Sequence, residues 1–302
     1  MRLMVKSGSA SRAPKKRWFA LLAVSMAVVF AGHVAYSSVY YMSNLELGSK
    51  EFADGFEKGD LSAWRVGETE FCCDRSAMIV SSGAREGNRA LKVGLSPEDP
   101  RVAGSKRAEV RLKAVELGEE RWYAFSLFIP EDWHSIPEVA TIAQWHAVDD
   151  KILGEVGRAP PLRLVVKGDQ WSIASHWDSR RISGIPFLHA APEGGDVLWS
   201  APLTRGTWTD WVFHVQWSYN DDGIIEIWKD GTAIARRKGP NAYNDWLGPF
   251  FKLGIYVPHW NKPGASSPIE RHEVLIDRVR QSTHPLVPAI RGMAANTRSA
   301  DE

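Results

Sequence analysis

Cysteine is nearly missing from this chain: of 302 residues only Cys72 and Cys73 are cysteines, and they are adjacent. Neighbouring cysteines cannot staple distant segments, because a relaxed disulfide holds its Cα atoms about 5.5 Å apart. The fold must therefore stand on its hydrophobic core. The pair reads as packed thiols, with a vicinal disulfide or a metal site as alternatives, since no histidine or further cysteine stands nearby at ligand spacing. Also absent are the phosphate-cradling G-x-x-x-x-G-K-[ST] and G-x-G-x-x-G loops, the G-x-S-x-G nucleophile elbow and the zinc-binding H-E-x-x-H, since His272-Glu273 runs on into Val-Leu-Ile-Asp. These gaps remove nucleotide-dependent, serine-hydrolase and zinc-protease chemistry. No E-x-D-x-E-like run sets carboxylates at alternate positions of one strand, so a closely paired acid and base is poorly supported.

Charge is unevenly spread. Residues 1–42 hold six basic side chains (Arg2, Lys6, Arg12, Lys15, Lys16, Arg17) and no acid, which leaves 31 basic against 36 acidic residues, a net charge of −5, in the remainder. An acidic body argues against nucleic acid as a partner and against a surface built for a heavily sulfated polymer. After the basic flank, Trp18–Gly32 runs without a charge and the apolar stretch continues weakly to Tyr41, close to the ~20 residues that span a bilayer. This is an export signal. Either Ala35 ends a removed signal peptide or residues 18–41 stay as an anchor, and in both cases the body from about Ser43 is expected outside the cytoplasm, periplasmic or extracellular.

Helical periodicity is scarce beyond that segment, with only short turns expected near Asn241–Trp246, and there is no internal repeat. From Glu51 to Arg280 the chain breaks into short runs of alternating polarity separated by Gly, Pro, Asn and Asp, which is an all-β pattern. Strands are expected at Ala90–Leu95, Ala108–Leu112, Trp122–Phe128, Thr141–His146, Leu162–Val166, Trp171–Ser175, Trp211–Trp217, Gly223–Lys229, Thr232–Arg236, Phe250–Tyr256 and Glu273–Val279. Asp230-Gly231 marks the strongest hairpin, because a type I′ turn needs positive φ at both central residues. The expected architecture is a sandwich of two antiparallel sheets over 43–287, preceded by the signal or anchor helix and followed by a disordered tail at 288–302.

Fourteen tryptophans far exceed normal usage. Any one of them is better read as core, and the number is what hints at sugar stacking. Alternation then sorts the polar residues, because positions i, i+2 and i+4 of a strand share a face. Arg107, Glu109 and Arg111 fall on one face, Gln144 and His146 lie about 7 Å apart with Trp145 opposite, and Lys252 and Tyr256 lie roughly 13 Å apart with Gly254 between them. One sheet face would thus carry Arg, Gln, His, Lys and Tyr, as a site for an anionic ligand does. RAEVR reads equally as an ion-paired strand, and isolated histidines such as His176, His189 and His214 read as ordinary packed residues.

In these residues the chain resembles the heparin lyase I-like polysaccharide lyases, and it is similar to the glucuronan lyases as well. The resemblance runs through FADGFEKGDLSAW at Phe52–Trp64, SKRAEVR at Ser105–Arg111, RWYAFSLFIPEDW at Arg121–Trp133 and IAQWH at Ile142–His146. It continues through GTWTDWVFHVQWS at Gly206–Ser218, DGIIEIWKDG at Asp222–Gly231 and GPFFKLGIY at Gly248–Tyr256. It implies a concanavalin-like β-jelly roll with a concave groove, acting on an acidic polysaccharide as a monomer. His146 and Tyr256 would be catalytic, and Arg107, Gln144, Lys252 and Glu109 would bind substrate. It also implies calcium, for which no convincing shell can be placed in the sequence.

β-Elimination needs a uronate carboxylate neutralised, its C5 proton removed and O4 protonated. Arg107 and Gln144 suit the first task, His146 the second and Tyr256 the third, with Lys252 at a neighbouring subsite. Two other function classes remain open: a non-catalytic lectin-like sandwich, and a glycoside hydrolase resting on Glu109 or Glu226.

Overall fold

The computed structural model of the chain describes residues 13–44, 46–64, 68–184, 191–265 and 267–286. The expected tail at 288–302 lies outside them, as does His189. Helix α1 (Ala13–Asn44) contains Trp18–Val39, 22 residues of mean hydropathy 2.0, most of them exposed; it meets the body near Ser37, which is buried, and His33, whose Nε2 lies 3.4 Å from the Ile152 carbonyl oxygen. At 1.5 Å per residue that stretch is about 33 Å long, enough for the ~30 Å hydrocarbon layer. It is compatible with either a signal or an anchor.

Fifteen strands follow among the described residues: β1 (Phe52–Asp54), β2 (Thr69–Glu70), β3 (Ala77–Val80), β4 (Ala90–Leu95), β5 (Arg107–Ala114), β6 (Glu120–Phe128), β7 (Val139–His146), β8 (Leu162–Lys167), β9 (Gln170–Trp177), β10 (Gly194–Pro202), β11 (Trp208–Gln216), β12 (Ile224–Lys229), β13 (Thr232–Lys238), β14 (Phe250–Tyr256) and β15 (His272–Ser282). They form two antiparallel sheets. One is ordered β13-β12-β11-β6-β15-β4-β3 with β1 added to β15, and the other β10-β9-β8-β7-β14-β5-β2. Every strand expected from sequence is present, with ends shifted by three residues at most; Trp217 and Gly223 fall just outside β11 and β12. Asp230 and Gly231 take φ of 51° and 76°, as the hairpin between β12 and β13 requires. Asn241–Trp246 is not helical. It is a stapled loop in which Asn241 donates to the Gln216 and Ile224 carbonyls and accepts from the Ser218 amide.

Period-two alternation builds the core between the sheets. Tyr123, Phe125 and Phe213 of one sheet interlock with Trp145 and Phe251 of the other at ring-centre distances of 4.6–5.5 Å. Trp171, Trp211 and Trp217 are likewise sealed inside. Burying each such side chain contributes roughly 1.5–3 kcal/mol, and the rings supply this without any long-range covalent tie. The tryptophan excess is therefore mainly core. Trp246 is the strongly exposed tryptophan of the body, at 52%.

Candidate active site

Because β14 is an interior strand of the seven-stranded sheet, between β7 and β5, its outward residues meet partners on both sides. Register sets Arg163, Gln144, Lys252 and Arg111 in one row across β8, β7, β14 and β5. Toward one end Tyr256 pairs with Arg107, and toward the other Phe250 pairs with His146. Between them Gly254 lies opposite Glu109, which in turn lies opposite Glu70 of β2. Gly254 adopts φ +148°, and a Cβ there would sit 2.1 Å from the Ala108 carbonyl oxygen, so only glycine lets β14 approach β5 this closely.

The centre of this face is a closed ionic lattice. Lys252 Nζ donates to Glu70 Oε2 at 2.7 Å and Glu109 Oε2 at 2.6 Å, and Gln144 Nε2 donates to Glu109 Oε1 at 2.6 Å. Arg107 Nη1 donates to Glu70 Oε2 at 3.1 Å and lies 3.4 Å from Glu109 Oε2, while Arg111 lies 3.8 Å from Glu70. Glu70 and Glu109 face each other across a strand pair and would repel without the ammonium between them. Burial alone would raise Glu70, but Lys252 and then Arg107 hold it below the usual carboxylate range. Burial would lower Arg107, but Glu109 and Glu70 hold it above its ordinary value.

Three of the residues expected to bind substrate are buried within the lattice. Lys252 and Glu109 are each 1% exposed, as is Gln144. Lys252 is held by two carboxylates, Glu109 holds Lys252 and Gln144, and Gln144 gives its Nε2 to Glu109 while its Oε1 is buried without a hydrogen-bond partner.

Partly exposed on the face are His146, Tyr256, Arg107, Arg111, Arg163 and His176. His146 Nδ1 lies 2.8 Å from the Ala147 carbonyl oxygen. A carbonyl can only accept, so Nδ1 carries the proton and Nε2 keeps its lone pair. Burial lowers the His146 pKa; Asp149 opposes this and Lys252 and Arg107 add to it, so the ring is a neutral base at neutral pH. The Arg107 guanidinium carbon lies 4.9 Å from the centre of the Tyr256 ring. Tyr256 pairs with Thr141 on β7, five residues from His146, which is about 17 Å of backbone. Imidazole and phenol share one surface at different levels along it, and their side chains must lean toward each other to reach adjacent atoms of one sugar.

Two residues of this face, Glu70 and Arg163, escape the sequence reading, and a third, His176, reads there as an ordinary packed histidine. Glu70 lies on a two-residue strand with no periodicity to reveal it. Arg163 and His176 obey the same alternation as Gln144 and were discoverable, since Leu162 and Leu164 are buried around Arg163. Burial lowers Arg163 below its ordinary value, with Tyr243 and Tyr256 opposing. Burial likewise lowers His176, whose Nδ1 faces the Pro160 carbonyl at 3.1 Å.

The other polar features lie elsewhere. His214 and Gln216 are on β11 of the eight-stranded sheet, where His214 Nδ1 pairs with Glu226 at 2.8 Å and its ring stacks on Trp122 at 4.2 Å. Glu109 and Glu226 belong to different sheets. The two therefore cannot flank one glycosidic bond together.

Calcium takes six to eight oxygens at 2.3–2.6 Å. The best acidic cluster among the described residues, Asp150, Glu155 and Asp245, is already filled by cations. Arg158 donates to both oxygens of Asp245 at 2.8 and 2.7 Å and to Glu155 at 3.3 Å, and Arg181 pairs with Asp150. These residues do not fit a calcium shell. Cys72 and Cys73 are joined as a vicinal disulfide rather than packed as thiols, so Cys72, Cys73 and Asp99 offer no thiolate site.

Comparison with known proteins agrees with this architecture. A solved endo-β-1,4-glucuronan lyase from the fungus Trichoderma reesei is similar at 22% identity and TM-score 0.64, over 78% of this chain and 96% of that one. That likeness establishes the jelly-roll-type sandwich. A cellulose-induced protein (15% identity, TM-score 0.46, 77% and 97% covered) and an alginate lyase of polysaccharide lyase family 7 (13%, 0.47, 70% and 84%) are more distant. No curated protein sequence matches the chain. The family profile described as polysaccharide lyase matches residues 56–280, from Phe56 into the last strand and so all of the sandwich but β1 and the end of β15, and the chain therefore belongs to that family, as a carbon–oxygen lyase acting on polysaccharides.

Proposed function

We propose that the chain cleaves a uronate-containing polysaccharide by β-elimination over the outer face of the seven-stranded sheet, leaving an unsaturated uronate at the new non-reducing end. The observation that carries this reading is the placement on one surface of an imidazole oriented by the Ala147 carbonyl and a phenol beneath a guanidinium that a buried ionic lattice holds. His146 Nε2 takes the C5 proton, the electron pair forms the C4–C5 double bond, and the C4–O4 bond breaks. Tyr256 gives its hydroxyl proton to O4. The excess proton on His146 then returns to the phenolate through solvent, so the cycle balances. Arg107 steadies Tyr256, and Lys252, Glu109, Glu70 and Gln144 fix Arg107 in turn, as supporting groups do in pre-organised sites.

Four cations (Arg107, Arg111, Arg163, Lys252) and two carboxylates (Glu70, Glu109) line the face, a modest surplus that suits a polymer with one carboxylate per sugar. With the acidic body this favours a glucuronan-like chain over a sulfated one. The apolar N-terminal helix supports export, with the body periplasmic or extracellular and tethered where the helix is retained.

The test is the full chain incubated with polyglucuronate while ultraviolet absorbance of unsaturated ends is recorded. Tyr256→Phe is expected to lose about 10²–10⁴-fold in turnover while still binding polymer, the usual contribution of a general acid. Cleavage by Tyr256→Phe at the unmodified rate would remove the phenol from the mechanism.

A further inference from the structure

We infer that Arg163, on β8, is the guanidinium that grips the sugar carboxylate over the seven-stranded sheet, a role that rests on the uronate-cleaving reading above. Every other cation of the face already has a protein carboxylate. Lys252 and Arg107 share Glu70 and Glu109, and Arg111 lies within 3.8 Å of Glu70 and against the Phe250 ring. Arg163 has no ion pair or hydrogen bond among the described residues, and its Nε is enclosed without a partner. Its electrostatic neighbours are two phenols, Tyr243 and Tyr256. The Tyr243 hydroxyl is spent on the Ala159 carbonyl at 2.9 Å, which leaves Tyr256, the proposed acid, as the free one.

A half-buried guanidinium without a counter-charge is destabilising to the folded protein, and a fold keeps such a group where a ligand supplies the missing anion. The planar fork matches a carboxylate through two parallel N–H···O bonds, a geometry that an ammonium cannot reproduce. Position agrees with this role. Arg163 stands directly beside Gln144 in register, in the central row between the level of His146 and the level of Tyr256. A carboxylate on C5 held there puts the acidic proton and the leaving oxygen between base and acid.

The experiment uses the full chain and its Arg163→Met and Arg163→Lys variants. It measures calorimetric affinity for a glucuronate oligomer and for the same oligomer with its carboxylates reduced to alcohols, kcat/KM on polyglucuronate, and the thermal unfolding midpoint. Arg163→Met should lose about 10- to 100-fold in affinity for the uronate oligomer and in kcat/KM, the size expected for a charge-assisted hydrogen-bonded pair. It should bind the reduced oligomer no worse than the unmodified chain does, and its midpoint should stay or rise. Arg163→Lys should recover only part of the loss.

A structural arginine would behave in the opposite way, with a lowered midpoint and equal losses on both oligomers, and that result overturns the inference. So does affinity within twofold of the unmodified chain. Because affinity is read without turnover, a chain that binds uronate through Arg163 yet releases no unsaturated ends would refute the elimination reading alone. A chain that does not distinguish the two oligomers would refute the inference.

Discussion

The outer faces of the two sheets use the same amino-acid types to opposite ends. On the eight-stranded sheet the ion pairs around Glu226 and Asp210 lie near solvent. His214 and Arg236 meet Glu226, whose side chain is 24% exposed, and Arg85 and Arg278 meet Asp210, which is 30% exposed. On the seven-stranded sheet Lys252 and Glu109 are each 1% exposed and locked together. The first arrangement can be altered one residue at a time at little expense. The second fails as a unit if one member is removed, and that rigidity is what a site needs to hold an imidazole, a phenol and a guanidinium in fixed relation.

The contrast is broken most severely at its centre. Lys252→Ala leaves two buried carboxylates facing each other, and chemical denaturation should show a loss of about 3–5 kcal/mol, the usual result of removing one partner from a buried ion pair. A loss under 1 kcal/mol would mean that the lattice is solvated like the other face.

Acid sensitivity sharpens the contrast from inside the sandwich. His272 is stacked on Trp133 at 3.9 Å and Trp260 at 5.7 Å, and burial, with His134 adding, pushes its pKa down to about 4. A histidine depressed below its unfolded value of ~6.5 leaves stability unaffected above that pH, and the folded state loses ground as pH falls from about 6.5 to 4, by about 3 kcal/mol at most. His272→Phe keeps the stacking and should flatten that part of the pH–stability curve relative to the unmodified chain. Parallel curves would show that other groups cause the acid loss.

The smallest effect belongs to the solvated face. Glu226→Gln should change stability by under about 1 kcal/mol and leave polymer cleavage unaltered, as for other exposed pairs. A large loss of cleavage would move the site to the other sheet.

Much of this arrangement could be read from particular residues. Alternation in RAEVR, QWH and FKLGIY put Arg107, Gln144, His146, Lys252 and Tyr256 on one surface, because a strand has a fixed period of two. Alternation does not report depth. Lys252 and Glu109 satisfy the pattern of an exposed charged strand, and only the arrival of Glu70 from a distant two-residue strand shows that they are sealed. Strand β10 (GGDVLWSAP) was missed since glycines and a proline break its pattern, and its register also shifts between Val197 and Trp199. Arg163 was legible but passed over, because its neighbours in LRLVV read as a purely apolar strand.

The most direct measurement is mass spectrometry of oligosaccharides released from polyglucuronate by the full chain in heavy-oxygen water, with a carboxyl-reduced polymer alongside. Elimination draws no oxygen from solvent, so the account predicts unlabelled products with a double bond, formed only from the polymer that retains its carboxylates. Heavy oxygen built into the new ends by cleavage itself, or equal cleavage of both polymers, would contradict it.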